Sequence, residues 1–150
     1  MTSVRRKSSA LFLCLEVFSL IKKTVSVGIG GMLGTLLRYA LFQVPLPGGI
    51  LIHVLITMGI NVSGSFFLGF LVILFVRKIP ASAEIRLAVT TGFLGGYTTF
   101  STMCKDMVTL LQSGFVLPAF LYLALTVLLG LAASWGGIRA GKRLEGRRAS

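Results

Sequence analysis

From Ile50 to Val76 the chain runs without one Asp, Glu, Lys or Arg, and from Val116 to Ile138 it does so again. A helix that spans the hydrocarbon core of a bilayer needs about 20 mostly apolar residues, and both runs exceed that. Two further apolar stretches, Thr24 to Phe42 and Leu87 to Leu111, have the same character. Charged residues make up 13% of the 150-residue chain, against about a quarter in soluble domains. The expectation is an all-α membrane protein with four transmembrane helices in one compact bundle. The connections are a turn rich in Pro and Gly at Gln43–Gly49, a segment from Arg77 to Arg86, and Gln112-Ser113-Gly114.

The net charge is +11. Nucleic-acid binding is excluded as its cause, because the basic residues cluster between and beyond the apolar segments instead of along an exposed face interleaved with aromatics. With four spans, one face collects Arg5, Arg6, Lys7, Lys22, Lys23, Arg77, Lys78, Arg86, Arg139, Lys142, Arg143, Arg147 and Arg148. The turns on the other face, 43–49 and 112–115, hold no Lys or Arg. The positive-inside rule then puts both termini in the cytoplasm, with the basic ends on anionic lipid. The chain divides into a basic extension (1–22), a four-helix domain (23–138) and a basic tail (139–150). Ala10–Ile21 is too short to span, and Glu16 interrupts it. It reads as a peripheral interfacial helix, as a signal-like segment, or as a stretch absent from the mature chain.

Catalysis finds no support. Cys14 and Cys104 lack metal or redox spacing. His53, the one histidine, lies early in an apolar run, where an interfacial residue is expected. The carboxylates are Glu16, Glu84, Asp106 and Glu145, too few and too scattered for a nucleophile, base and acid set. No organic cofactor is implied.

Three local patterns carry the chemistry. In Gly30-Gly31-x-x-Gly34-x-x-x-Arg38-Tyr39 the glycines allow close helix approach. Arg38, a guanidinium in or near a span, either snorkels or serves an anion vestibule. In the second pattern Thr57, Asn61 and Ser65 share one helix face, flanked by Gly64 and Gly69. Such donors serve as interhelical glue or as a conduction path. The third is Gly92-Phe-Leu-Gly95-Gly96-Tyr-Thr98-Thr99-Phe100-Ser101-Thr102-Met103, which breaks helix 3 at its middle. Backbone leaves helical geometry at membrane depth only where protein or a cavity covers it. Freed carbonyls suit a small cation, and half-helix N-termini suit an anion.

Together the three patterns resemble the CrcB/Fluc fluoride channel family over residues 24–138. The resemblance implies an antiparallel dimer with two anion pores that passively exports fluoride across the plasma membrane and so limits its toxicity. It implies a structural sodium ion at the dimer centre, held by the carbonyls of Gly95 and Thr98. It implies that Asn61 donates to fluoride and that Phe100 offers its positive ring edge, with Thr57, Ser65, Tyr122 and Thr126 lining the path. Met103 stands where the family usually has a second Phe. Asp106 matches the family's acidic residue and Arg38 a vestibule position. Gly130 falls where the next hydroxyl of helix 4 is expected, so the track ends there or is completed by water. Fluoride is small and strongly hydrated; neutral donors replace its water without trapping it as a buried ammonium would.

The charge count conflicts with one part of this picture. A dual-topology homodimer needs little Lys/Arg bias, and this chain has a heavy one. The dimer is therefore expected as a homodimer or as a heterodimer with an oppositely oriented paralogue. The alternative, a small four-helix multidrug exporter, needs a membrane-embedded carboxylate in its first helix, and Thr24–Phe42 has none.

Overall fold

The computed structural model describes the backbone of residues 2–45, 47–77 and 80–146. Lys78, Arg147 and Arg148, of the basic residues assigned above to one face, lie outside the described residues. The described chain is helical throughout: α1 (Thr2–Phe42), α2 (Gly49–Arg77), α3 (Ala83–Leu87), a π-helical turn (Ala88–Phe93), α4 (Leu94–Tyr97), α5 (Phe100–Gln112) and α6 (Val116–Gly146). The last four before α6 form one segmented rod, so the polypeptide makes four helical passes. Three helices are long and apolar enough to cross a membrane by themselves: Glu16–Phe42 within α1, Gly49–Val76 and Val116–Leu144. The segmented third pass carries the glycine and hydroxyl residues that cost it both length and hydropathy.

Two ends differ from expectation in one respect each. Residues 2–22 do not form a separate helix but continue into α1 without interruption. Lys22 does not stop the helix, because its ammonium folds back over the Phe18 ring at 4.4 Å, keeping its stem on apolar surface. At about 1.5 Å per residue, α1 is roughly twice as long as the hydrocarbon core is thick. Likewise α6 runs past Ile138 into the basic tail, with the Arg139 guanidinium 3.7 Å above the Trp135 ring.

Glycines set the packing. A Cβ at Gly30 or Gly34 would strike the carbonyls of Ala88 and Phe93 in the π turn, and one at Gly96 would strike Gly31. Backbone therefore meets backbone where α1 crosses the third pass. The α2–α6 seam is built the same way, with Gly69 against Ser134 and Gly137 against Phe66. Gly49 (φ +56°) and Gly114 (φ +82°) take the left-handed conformations that turn the chain into α2 and α6. α3 sits at the end of the bundle where α1 carries Lys22 and Lys23, and there the backbone amide of Glu84, the Ser82 hydroxyl and the two lysines hold the Glu84 carboxyl below the usual range. The turns after α1 and α5 gather at the other.

Candidate functional site

Helix geometry ends at Tyr97 and resumes at Phe100, leaving Thr98 (φ −70°, ψ 153°) and Thr99 (φ −147°, ψ 115°) extended. Side chains take over the backbone bonds that the helix drops. The Asn61 carboxamide reaches across from α2, accepting from the Thr99 N–H at 2.8 Å and donating to the Thr99 carbonyl at 3.0 Å. The Thr99 hydroxyl caps α5 by accepting from the Thr102 N–H at 3.1 Å. These diversions have a consequence for the carbonyls. In an unbroken helix the Thr99 and Thr102 amides would close onto the Gly95 and Thr98 oxygens four residues earlier. Here both amides donate elsewhere, so both carbonyls are free of their helical donors. Gly95 is also open, since a Cβ built on it meets nothing within 4 Å.

An open cleft of about 590 Å³ runs beside this interruption, lined among others by Asn61, Ser65, Gly95, Thr98, Thr99 and Phe100. Asn61 has a second N–H beyond the one given to Thr99. Phe100 at the start of α5 is 74% exposed.

A second polar cluster lies further along α5, toward the end bearing the turns. Asp106 is 4% exposed. The Thr57 hydroxyl approaches its Oδ2 at 2.7 Å, the Tyr122 hydroxyl donates to the same oxygen at 3.4 Å, and His53 Nδ1 stands 2.9 Å from Oδ1. The His53 ring stacks on Phe42 at the end of α1, centroids 4.7 Å apart. Below Tyr122 on α6, the Thr126 hydroxyl donates to the Tyr122 carbonyl at 2.7 Å. One turn further the missing side chain of Gly130 leaves room that Ser65 fills from α2, its hydroxyl 3.5 Å from where a Cβ would stand. The Ser65 hydroxyl itself donates to the Asn61 carbonyl at 2.8 Å.

The predicted site residues fall into these two places. Asn61, Ser65, Gly95, Thr98 and Phe100 meet at the cleft. Thr57, Asp106 and Tyr122 form the carboxylate cluster, with Thr126 adjoining. Met103 does not reach the cleft: it is 4% exposed and packs with Val54, Leu110, Ala119 and Tyr122. Arg38 is half-buried on α1, one turn before Phe42. His53, read from sequence as an interfacial residue, is also a partner of Asp106. The only signal for it was the four-residue spacing to Thr57, which places both on one face.

Comparison with known proteins agrees in extent with the four-helix region. The family model described as CrcB-like protein, Camphor Resistance (CrcB), matches residues 25–138. A protein of Geobacillus kaustophilus named "Fluoride-specific ion channel FluC 2" is 40% identical over 124 residues, covering 81% of this chain and 96% of the relative. One of Allorhizobium ampelinum, named "Fluoride-specific ion channel FluC", is 37% identical over 131 residues, covering 82% and 98%. Another of that name from Stutzerimonas stutzeri is 38% identical over 119 residues, covering 79% and 96%. With the match spanning all four helical passes, the chain belongs to the CrcB family.

Proposed function

We propose that this chain is one subunit of a fluoride channel in the plasma membrane, conducting fluoride passively out of the cell. It is an ion-transport protein and not an enzyme. The relatives' names support the ion. The observation that carries the mechanism is the interruption at Thr98–Thr99, which puts an amide donor (Asn61), a hydroxyl (Ser65) and an exposed aromatic ring (Phe100) on one cleft.

In the proposed pathway the remaining N–H of Asn61 and the ring edge of Phe100 meet the ion, and Ser65, Thr126, Tyr122 and Thr57 continue the donors along α2 and α6. Each hydroxyl can turn its proton toward an anion, and none fixes a full positive charge that would hold fluoride too long. Arg38 draws anions toward the end where Asp106 lies. Met103 acts behind Tyr122 as packing.

The same interruption suits a sodium ion. The freed carbonyls of Gly95 and Thr98 are hard oxygen donors, matched to a hard cation, and they open outward. Two carbonyls make only half a shell, so an antiparallel second subunit, alike or paralogous, supplies the rest. When bound, the ion would hold the subunits together and offset negative charge between the pores. The basic residues at the termini and before α3 favour both termini in the cytoplasm.

The test is fluoride efflux from liposomes carrying the purified chain, followed with a fluoride electrode and compared with chloride. Rapid fluoride-selective efflux that Asn61→Asp abolishes is the expected result. If efflux is absent both alone and with an oppositely oriented paralogue, the fluoride reading is wrong.

A further inference from the structure

We propose that His53 is a positioning residue for the conduction pathway and makes fluoride flow depend on pH, an inference that rests on the fluoride-channel reading above. His53 and Thr57 stand one turn apart on α2 and reach the same carboxylate from the same side. Together with the Tyr122 hydroxyl they occupy both oxygens of Asp106: Oδ1 faces the imidazole, Oδ2 the two hydroxyls. A carboxylate as buried as this requires such partners. The imidazole is held flat against Phe42, yet 41% of the His53 side chain remains exposed. Water can therefore deliver a proton to the ring while its position stays fixed.

The charged and titratable groups around it at this level are few. α1 brings Arg38 and Tyr39, α5 brings Cys104, Lys105 and Asp106, and α6 brings Tyr122. α2 itself has no charged residue before Arg77. Of the other described carboxylates, Glu84 sits with Lys22 and Lys23 at the opposite end, and Glu16 lies far down α1. Asp106 is thus the one negative group that His53 answers.

The sign follows from the pair. With His53 protonated, imidazolium and carboxylate cancel. With it neutral, the cluster holds one net negative charge beside Tyr122, at the head of the hydroxyl column Tyr122–Thr126–Ser65. That charge repels an incoming fluoride. A histidine ring changes its charge by one proton, so flow is high while the His53 ring carries that proton and falls as rising pH removes it.

The experiment measures liposome efflux at matched internal and external pH from about 5.5 to about 8. Protein-free liposomes serve as the blank for permeation by the neutral acid. Wild type is expected to slow by roughly three- to fivefold across the range, the effect of one partly screened charge. His53→Gln, which bonds Asp106 without titrating, should be flat at the slow level. His53→Lys, permanently charged, should be flat at the fast level. A flat wild-type profile overturns the proposal, as does a wild-type slope retained in the variants. Efflux lost at every pH in both variants means a merely structural contact and overturns it as well. Should one variant fail to fold, the other decides together with the wild-type profile. Absence of fluoride efflux from wild type at any pH, both alone and with an oppositely oriented paralogue, defeats the channel reading itself; efflux without a histidine-dependent slope defeats only this one.

Discussion

Asn61 holds the extended Thr99 and, in the proposed pathway, also donates to the ion, and substitutions can separate the two. Its carboxamide gives the extended Thr99 a donor and an acceptor, standing in for the helical bonds lost there. Asn61→Leu removes both and leaves the Thr99 N–H and carbonyl unpaired, at about 1–3 kcal/mol for each buried group. Asn61→Asp keeps the acceptor and loses only the donor. Thermal unfolding in detergent should therefore rank wild type above Asp and Asp above Leu, while fluoride efflux is lost in both variants. A conducting Asn61→Leu would remove this residue from the ion path. Met103 tests the opposite case. The family resemblance puts it among the pore residues, but it is buried against Val54, Leu110, Ala119 and Tyr122. Met103→Ala should cost about 2–5 kcal/mol of stability, read by the same melt; an unchanged melting temperature would mean that the side chain is not packed there. Single residues were also where sequence reading fell short. His53 and Asp106 are 53 positions apart, and nothing local to an apolar run announces a partner on another helix.

The elements were more legible than their contacts, for a physical reason. A bilayer imposes a length on any apolar run, so the limits of α2 and of the start of α6 follow from where charges and turn glycines stop the run. Glycines at three- and four-residue spacing similarly announce close packing, and the α1 seam bears that out. What the runs could not reveal is continuity past a charge. Lys22 and Lys23 look like a boundary, yet a lysine whose stem lies along its own helix interrupts nothing, and α1 passes straight through. The π turn was invisible too, because it lies where Gly30 and Gly34 of α1 and its own Gly92 bring backbone against backbone, a contact between distant segments that no local pattern announces. That contact gives a prediction at this scale. Gly30→Val or Gly34→Val drives a side chain into the Ala88 or Phe93 carbonyl, neither of which can move without shifting the whole turn. Folded, monodisperse protein should be lost or its melting temperature should drop sharply. Gly28, on the same helix, has nothing within 4 Å of its Cβ position, so Gly28→Ala should be neutral, with a slight gain from helix propensity. Equal effects at positions 28 and 30 would mean that α1 does not meet the third pass through this seam.

At the scale of the whole molecule, charge and assembly pull in different directions. Gly95, Thr98 and Phe100 line one open cleft, and in the proposed assembly a second subunit would complete the sodium shell and the pores there only if it is inverted. Apart from Arg38 and Lys105, the Lys and Arg of the sequence fall in the segments before the first span, between the second and third, and after the fourth, a bias that favours one insertion direction for every copy. Both demands are met together if the inverted partner is a different chain with the opposite bias. The bias acts during insertion in the cell, and detergent-purified subunits mixed into liposomes are released from it. Efflux from the chain alone in liposomes and a fixed orientation in cells are therefore compatible results, and only the latter decides between homodimer and heterodimer. In a background with Cys14 and Cys104 replaced, a single cysteine at position 113, in the turn before α6, should react with an impermeant maleimide added outside intact cells. A single cysteine at position 140, near the end of α6, should react only after lysis. Equal labelling of both positions from outside would show two populations of opposite orientation. The charge bias would then not govern insertion, and a homodimer would form without a second gene product.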